Sequence, residues 1–199
     1  MPKIVDHDER RGVYLEAMWR VVARDGASAV SHRSVAREAG MSKSNLAYYF
    51  PSRADLLAAA VVQMTADAEG RAASLPIAEM DLDAVVDRVM CAIPDSTERR
   101  QQSEVWLLLV AERGSDAHLK ELLDDLNRRV AGAIAVQLEV VKELGFVHAG
   151  RDVDLEAARL HAVIDGLSLH TMTSPTLMPP DRIRAVVRQH LRDLALPAT

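Results

Sequence analysis

The run VSHRSVAREAGMSKSNLAYYFPSRADL, residues 30 to 56, constrains this chain more than any other stretch. It holds two short amphipathic segments hinged at one glycine, each preceded by a serine, and it is broken by a proline. Ser31 is placed to cap a helix from about His32 to Ala39, and Ser42 a helix from Lys43 to Tyr49. A serine oxygen in that position accepts from a backbone N–H that the first helical turn leaves unpaired. Gly40 can take the left-handed turn between the two helices without a Cβ penalty. Pro51 stops the second helix, and Ser52 caps a longer one through Leu56, Leu57, Ala60, Val61 and Met64 to about Arg71.

The remainder reads as helix too. Val13, Tyr14, Ala17, Met18, Val21 and Val22 recur at helical spacing within residues 9 to 25, closed by Asp25-Gly26. Gly70, Ser74 and Pro76 interrupt the fourth helix. Beyond them the pattern predicts helices over about 81–93, 97–113, 117–145, 153–173 and 180–195, separated by Pro94, Gly114-Ser115-Asp116, Gly145 to Gly150, Ser174-Pro175 and Pro179-Pro180. Strand-period alternation and repeats of 20 to 50 residues are both missing. The expected fold is all-α: an N-terminal three-helix domain over residues 1–53 and a larger C-terminal helical domain over residues 54–199.

Charge divides the chain in the same way. The formal net charge is -5, yet residues 1–53 carry nine Lys or Arg against six Asp or Glu, a balance of +3 that leaves -8 for the rest. A basic head and an acidic body imply different partners. With 49% apolar residues there is ample material for a core, and no apolar run approaches the 18 or so residues that would span a bilayer. Met1 to Arg11 is charged, unlike a basic start followed by an apolar stretch, so the expected address is the cytoplasm and no membrane partner is expected. The single cysteine, Cys91, excludes an intramolecular disulfide and a thiolate zinc cluster.

Two helices joined by a short glycine-containing turn form a helix-turn-helix, whose second helix fits the DNA major groove. Val35, Ala36 and Ala39 would pack the first of them against Met41 and Leu46, which leaves Lys43, Ser44, Asn45 and Tyr48 on the outward face of the second. Short polar groups and one ring there can reach base edges and thymine methyls. Tyr49 and Arg53 fall beside that helix, and Arg53 is placed to clasp the DNA backbone. The same hairpin also admits a second reading, as a module for protein contacts without sequence-specific DNA binding.

SVAREAGMSKSNLAYYFPSRADLL, residues 34 to 57, resembles the DNA-binding head of the TetR family of bacterial regulators, with its pattern V-A-x-x-A-G-x-S, L-x-x-Y-F and S-R/K-x-x-L. The resemblance covers roughly residues 10 to 65. It implies that Lys43, Ser44, Asn45 and Tyr48 face bases or groove walls, that Ser42, Tyr49 and Arg53 hold phosphates, and that Arg33 is a further phosphate contact. Ala47 departs from the tyrosine that many members carry there. Further on, VWLLLVAERGSD, ELGFVHAG and LEAARLHAVIDGLSLHTM resemble the regulatory domain of the BetI branch, over about residues 80 to 196. The function implied is a ligand-responsive transcriptional regulator, a repressor by the habit of the family, binding a palindromic double-stranded operator as a homodimer.

One short helix reads only a few base pairs, so affinity needs a second head about 34 Å away. Leu160, Ile164, Leu167, Leu169 and Met172 in one helix, and Ile183, Val186, Val187 and Leu191 in the last, have apolar faces able to build a four-helix dimer interface, or else to close the protomer core. For an unidentified small-molecule effector, Met64, Met90 and Cys91 offer an adaptable lining. Trp106 and Leu109 lie on a helix that is apolar almost all round and therefore expected to be buried, where a tryptophan more often fills the core than lines a ligand site. Arg113 with Glu112, and His161 with Asp165, are polar groups within apolar helices, whose burial requires partners. His161 and Asp165, at i and i+4, also raise the thought of a helical metal-dependent enzyme. Against it, the sequence has no HExxH, no glycine-rich phosphate loop and no G-x-S-x-G elbow. We therefore expect no catalysis, no metal and no cofactor.

Overall fold

In a computed structural model the described residues are 7–75, 81–112 and 117–197. Among them run nine α-helices and no strand: α1 (His7–Asp25), α2 (His32–Glu38), α3 (Lys43–Tyr49), α4 (Arg53–Ser74), α5 (Leu82–Met90), α6 (Thr97–Glu112), α7 (Ala117–Glu143), α8 (Val153–Thr173) and α9 (Pro180–Leu194), with a short 3₁₀ turn at Ala27–Ala29. Arg113, the break at Gly114-Ser115-Asp116, and Pro76 lie outside the described residues. Asp81 caps α5 through a 2.8 Å bond from the Ala84 N–H, and that helix stops at Met90, short of the expected 93.

Contacts group the chain into two compact units, Met1–Met64 with Thr97–Leu123, and Thr65–Ser96 with Asp124–Thr199. The division does not follow chain order: α6 and the start of α7 join the N-terminal helices. In the first unit α1 packs on α2, on the 3₁₀ turn and on α6. Its interior is built from Tyr14, Met18, Leu46, Phe50, Leu57 and Leu109, all fully buried. The expectation that the Trp106 helix is buried all round is corrected. Val105 and Leu109 are sealed, whereas Trp106, Leu107 and Leu108 are half-buried and Val110 is exposed.

The second unit is organised around α9, which packs on α5 and α8. Val86, Ile93, Leu138, Leu160, Val187 and Leu194 form its core. Arg184 pairs with Asp87 at 2.5 Å, and Arg188 with Asp83, tying α9 to α5 along their polar edges. Glu156, 3% exposed, is held between Arg151 and Arg159 at 2.7 Å each. Arg151 also donates to the carbonyls of Asp193 (2.6 Å) and Leu196 (3.0 Å), closing the end of α9.

Two predictions follow from these buried groups. Glu156→Ala leaves a largely buried arginine without its counter-charge, and should lower unfolding free energy in urea by about 3 kcal/mol. His190, 9% exposed, has an Nε2 that meets no hydrogen-bond partner among the described residues. Burial, aided by the positive charge of Arg159, holds its imidazole below the ordinary range. The unfolded chain then binds the extra proton, so the stability contributed by neutral His190 is whole above about pH 6.5 and is lost as pH falls below it. Thermal unfolding followed from about pH 7.5 to about 5.5 should show this slope, and His190→Leu should flatten it.

Candidate nucleic-acid interface

A seven-residue helix such as α3 does not hold itself in water, so its placement must come from capping and packing. At its start the Ser42 hydroxyl accepts from the Asn45 N–H at 3.2 Å. Preceding it, α2 opens with a reciprocal pair in which Ser34 N–H donates to Ser31 Oγ (3.1 Å) and Ser31 N–H to Ser34 Oγ (2.9 Å). The turn between the helices depends on Gly40 at φ 66° and closes with the Met41 N–H on the Ala36 carbonyl at 2.9 Å. At the far end Arg11 donates to the Tyr49 carbonyl at 2.9 Å, and His32 Nε2 lies 2.7 Å from the Phe50 carbonyl. Arg11 also sits 4.4 Å over the Phe50 ring. Leu46, wholly buried, fixes the inner face.

With Leu46 turned inward, the opposite side is outward. Ser42, Lys43, Ser44 and Asn45 are all exposed, and Tyr48 is 74% exposed. The Ser42 and Ser44 hydroxyls are 3.1 Å apart. Tyr48 leans edge-on against Tyr49 (5.2 Å between centroids), and His7, at the start of α1, lies 4.7 Å from the Tyr49 ring. Arg33 and Arg37 are exposed on α2. Arg20 and Arg24, by contrast, are held by Glu38, and Arg24 also by Asp25. These pairs engage two of the head's arginines with acids of the same segment and leave its net balance unchanged, so the cationic surface outside them centres on Arg33, Arg37 and Lys43.

Arg53, expected to clasp the DNA backbone, makes its hydrogen bonds within the first unit. Its Nε donates to the Val30 carbonyl at 2.7 Å and its Nη1 meets the Glu112 carboxylate, so the guanidinium is committed to joining α4, the end of the 3₁₀ turn and α6. Next to it, the Asp55 carboxylate accepts from the Ser52 N–H and hydroxyl and lies 2.9 Å from His118 Nε2. The Ser52 and His118 bonds hold this carboxyl below its usual range against the opposing effect of burial. Tyr49 is half-buried between His7 and Tyr14.

Sequence reasoning missed Tyr14 as part of this site. It was legible only as one apolar member of the α1 stripe, yet its buried hydroxyl donates to Asn45 Oδ1 at 2.7 Å. A buried phenol needs a partner, but spacing along α1 says nothing about which residue supplies it.

The effector candidates are divided between the two compact units. Met64, Trp106 and Leu109 belong to the first unit, and Met90, Cys91, His161 and Asp165 to the second. Leu109 is sealed in the core. His161 Nε2 lies 3.6 Å from Asp165 Oδ2, and burial raises the Asp165 carboxyl above its ordinary range. Among the described residues no three His, Cys, Asp or Glu are placed to hold a metal. Of the expected interface residues, Leu160, Leu167, Ile183, Val187 and Leu191 are taken up in the core of the second unit, because the inner faces of α8 and α9 pack there. Ile164 and Met172 are half-buried, and Leu169 and Val186 stand outward at 39% and 38% exposure.

Comparison with known proteins bears on the family and the fold. The model described as "Bacterial regulatory proteins, tetR family" matches residues 15–60, and that described as "BetI-type transcriptional repressor, C-terminal" matches residues 79–196. The HTH-type transcriptional regulator PksA of Bacillus subtilis (strain 168) is 30% identical over 200 residues, covering 100% of this chain and 96% of that protein. The HTH-type transcriptional regulator BetI of Vibrio atlanticus (strain LGP32) is 24% identical, covering 96% and 94%. Among solved structures, a putative TetR-family regulator from Rhodococcus sp. superposes with a TM-score of 0.79 at 22% identity, covering 95% of this chain and 100% of that one. A putative transcriptional regulator from Saccharomonospora viridis in complex with choline gives 0.67 at 29% identity, covering 94% and 95%. Among the described residues no helix is long and apolar enough to cross a membrane. The chain belongs to the TetR family of transcriptional regulators and carries a BetI-type C-terminal domain.

Proposed function

We propose that the protein represses transcription as a homodimer without enzymatic activity, placing two copies of α3 in successive major grooves of a near-palindromic operator, with residues 54–199 as the regulatory and dimerisation domain. One observation carries the reading: Lys43, Ser44, Asn45 and Tyr48 are exposed on the side of α3 opposite the sealed Leu46. Lys43, Ser44, Asn45 and Tyr48 meet base edges and groove walls, while Ser42, Tyr49 and Arg33 approach phosphates. In this reading the subunits meet through the outward sides of α8 and α9, where Leu169 and Val186 are exposed and Ile164 and Met172 half-covered.

A small-molecule effector acts through the C-terminal unit, with Met90, Cys91 and the His161–Asp165 pair as its candidate contacts. Moving a population from 1:99 to 99:1 takes a preference of about 5.5 kcal/mol for one state.

Selection of bound sequences from a random duplex pool tests the reader directly, with a two-fold symmetric consensus as the expected result. Lys43→Ala should weaken operator binding with fold and dimer intact, and Arg33→Ala should weaken all sequences alike and reduce the salt slope by about one unit. Arg53→Ala should leave that slope unchanged and lower stability instead, by about 1 kcal/mol given its partial exposure. Leu169→Arg with Val186→Arg should shift the protein from dimer to monomer in analytical ultracentrifugation, because two charges cannot be desolvated in an apolar contact.

A further inference from the structure

The hydroxyl of Tyr14 offers a constraint on what the reading helix can recognise. Tyr14 is wholly buried on α1, and its ring lies 5.7 Å from Tyr49 and 6.4 Å from Phe50, so it cannot swing aside. Its hydroxyl donates to Oδ1 of Asn45 at 2.7 Å, although Asn45 itself is on the exposed side of α3. The Asn45 backbone is fixed at the same time by the Ser42 cap. Burial raises the Tyr14 phenol, so it remains a donor throughout the physiological range.

We propose that Tyr14 is a positioning residue for operator specificity: by holding the Asn45 oxygen inward, it presents the Asn45 amino group as a donor to an acceptor edge, that of guanine, in preference to adenine. An amide is planar, and its oxygen and nitrogen diverge from one carbon. An oxygen drawn to a buried hydroxyl therefore leaves the nitrogen as the end free to reach out. Asparagine usually reads adenine with both ends, accepting from N6 and donating to N7. That pairing needs the oxygen that Tyr14 engages. Guanine presents N7 and O6, both acceptors, to which the two amino hydrogens can donate without disturbing the inner bond. The hydrogen bond to Tyr14 thus selects between purines without touching either one.

This inference rests on the proposed placement of α3 in the major groove, and its test separates the two. The full-length protein, Tyr14→Phe and Asn45→Ala are each put through selection from a random duplex pool, with circular dichroism and thermal unfolding as fold controls. The parent should yield a symmetric consensus with guanine at one pair of related positions, and Asn45→Ala should lose preference at those positions alone. Tyr14→Phe, which removes a single oxygen, should keep the rest of the consensus and shift those positions toward adenine, by about tenfold in relative affinity. The double variant should behave as Asn45→Ala does, since Tyr14 acts only through Asn45. An unchanged Tyr14→Phe consensus, or a change at positions that Asn45→Ala leaves alone, overturns the inference while sparing the reader. A parent protein that selects no consensus removes both. Should Tyr14→Phe fail to fold, Asn45→Asp decides: it keeps one oxygen for Tyr14 and offers a second in place of the amino group, so guanine should give way to cytosine, and retention of guanine would refute the proposal.

Discussion

Everything proposed for this protein depends on holding seven residues of helix in one orientation. An isolated helix of that length is unstable in water, because nucleation is costly and few bonds repay it. α3 exists because its surroundings supply what it lacks. Ser42 answers an orphan donor at one end, Arg11 and His32 engage orphan carbonyls at the other, and Leu46 gives the only fully buried anchor along its length. Two of those four contacts, from Arg11 and His32, reach in from α1 and α2, so the placement of α3 depends on the rest of the head.

The path from sequence to this arrangement was uneven for physical reasons. Helix boundaries were legible because their signals are local: serine caps, one left-handed glycine and prolines act within a few residues, and α3, α8 and the hinge at Gly40 lie where such signals put them. Arg53 shows where local reading ends. Beside a helix-turn-helix it looks like a phosphate contact, yet its partners are a carbonyl 23 residues away and a carboxylate 59 residues away. Pairings over those separations leave no trace in spacing. Tyr14 is the mirror case, counted as packing because its ring packs, while its single polar atom serves the opposite face of the head.

In the acidic body the apolar residues are plentiful, and what spacing leaves open is their allocation between faces. α8 and α9 each carry more apolar residues than one face needs, and periodicity cannot say which of two faces turns to the core. Leu160, Leu167, Ile183, Val187 and Leu191 lie buried in one core with residues of α5 and α7, and a narrower outward strip remains. The Trp106 helix departs from expectation for the same reason. Continuous apolar sequence is compatible with burial on every side, but in a single protomer only the Val105 and Leu109 side is closed.

Grouping α6 with the N-terminal helices bears on how such proteins can be cut and rejoined. Val105, Leu109 and Leu119 complete a core begun by α1 and the 3₁₀ turn, and Glu112 answers Arg53. A fragment severed after α4 would keep every residue proposed to face bases and still present raw apolar surface where those side chains had been. Engineers wishing to graft this reader onto another sensor must therefore carry along a segment that begins only at Thr97, well past the end of α4 at Ser74, or supply a substitute plug for the hole it leaves.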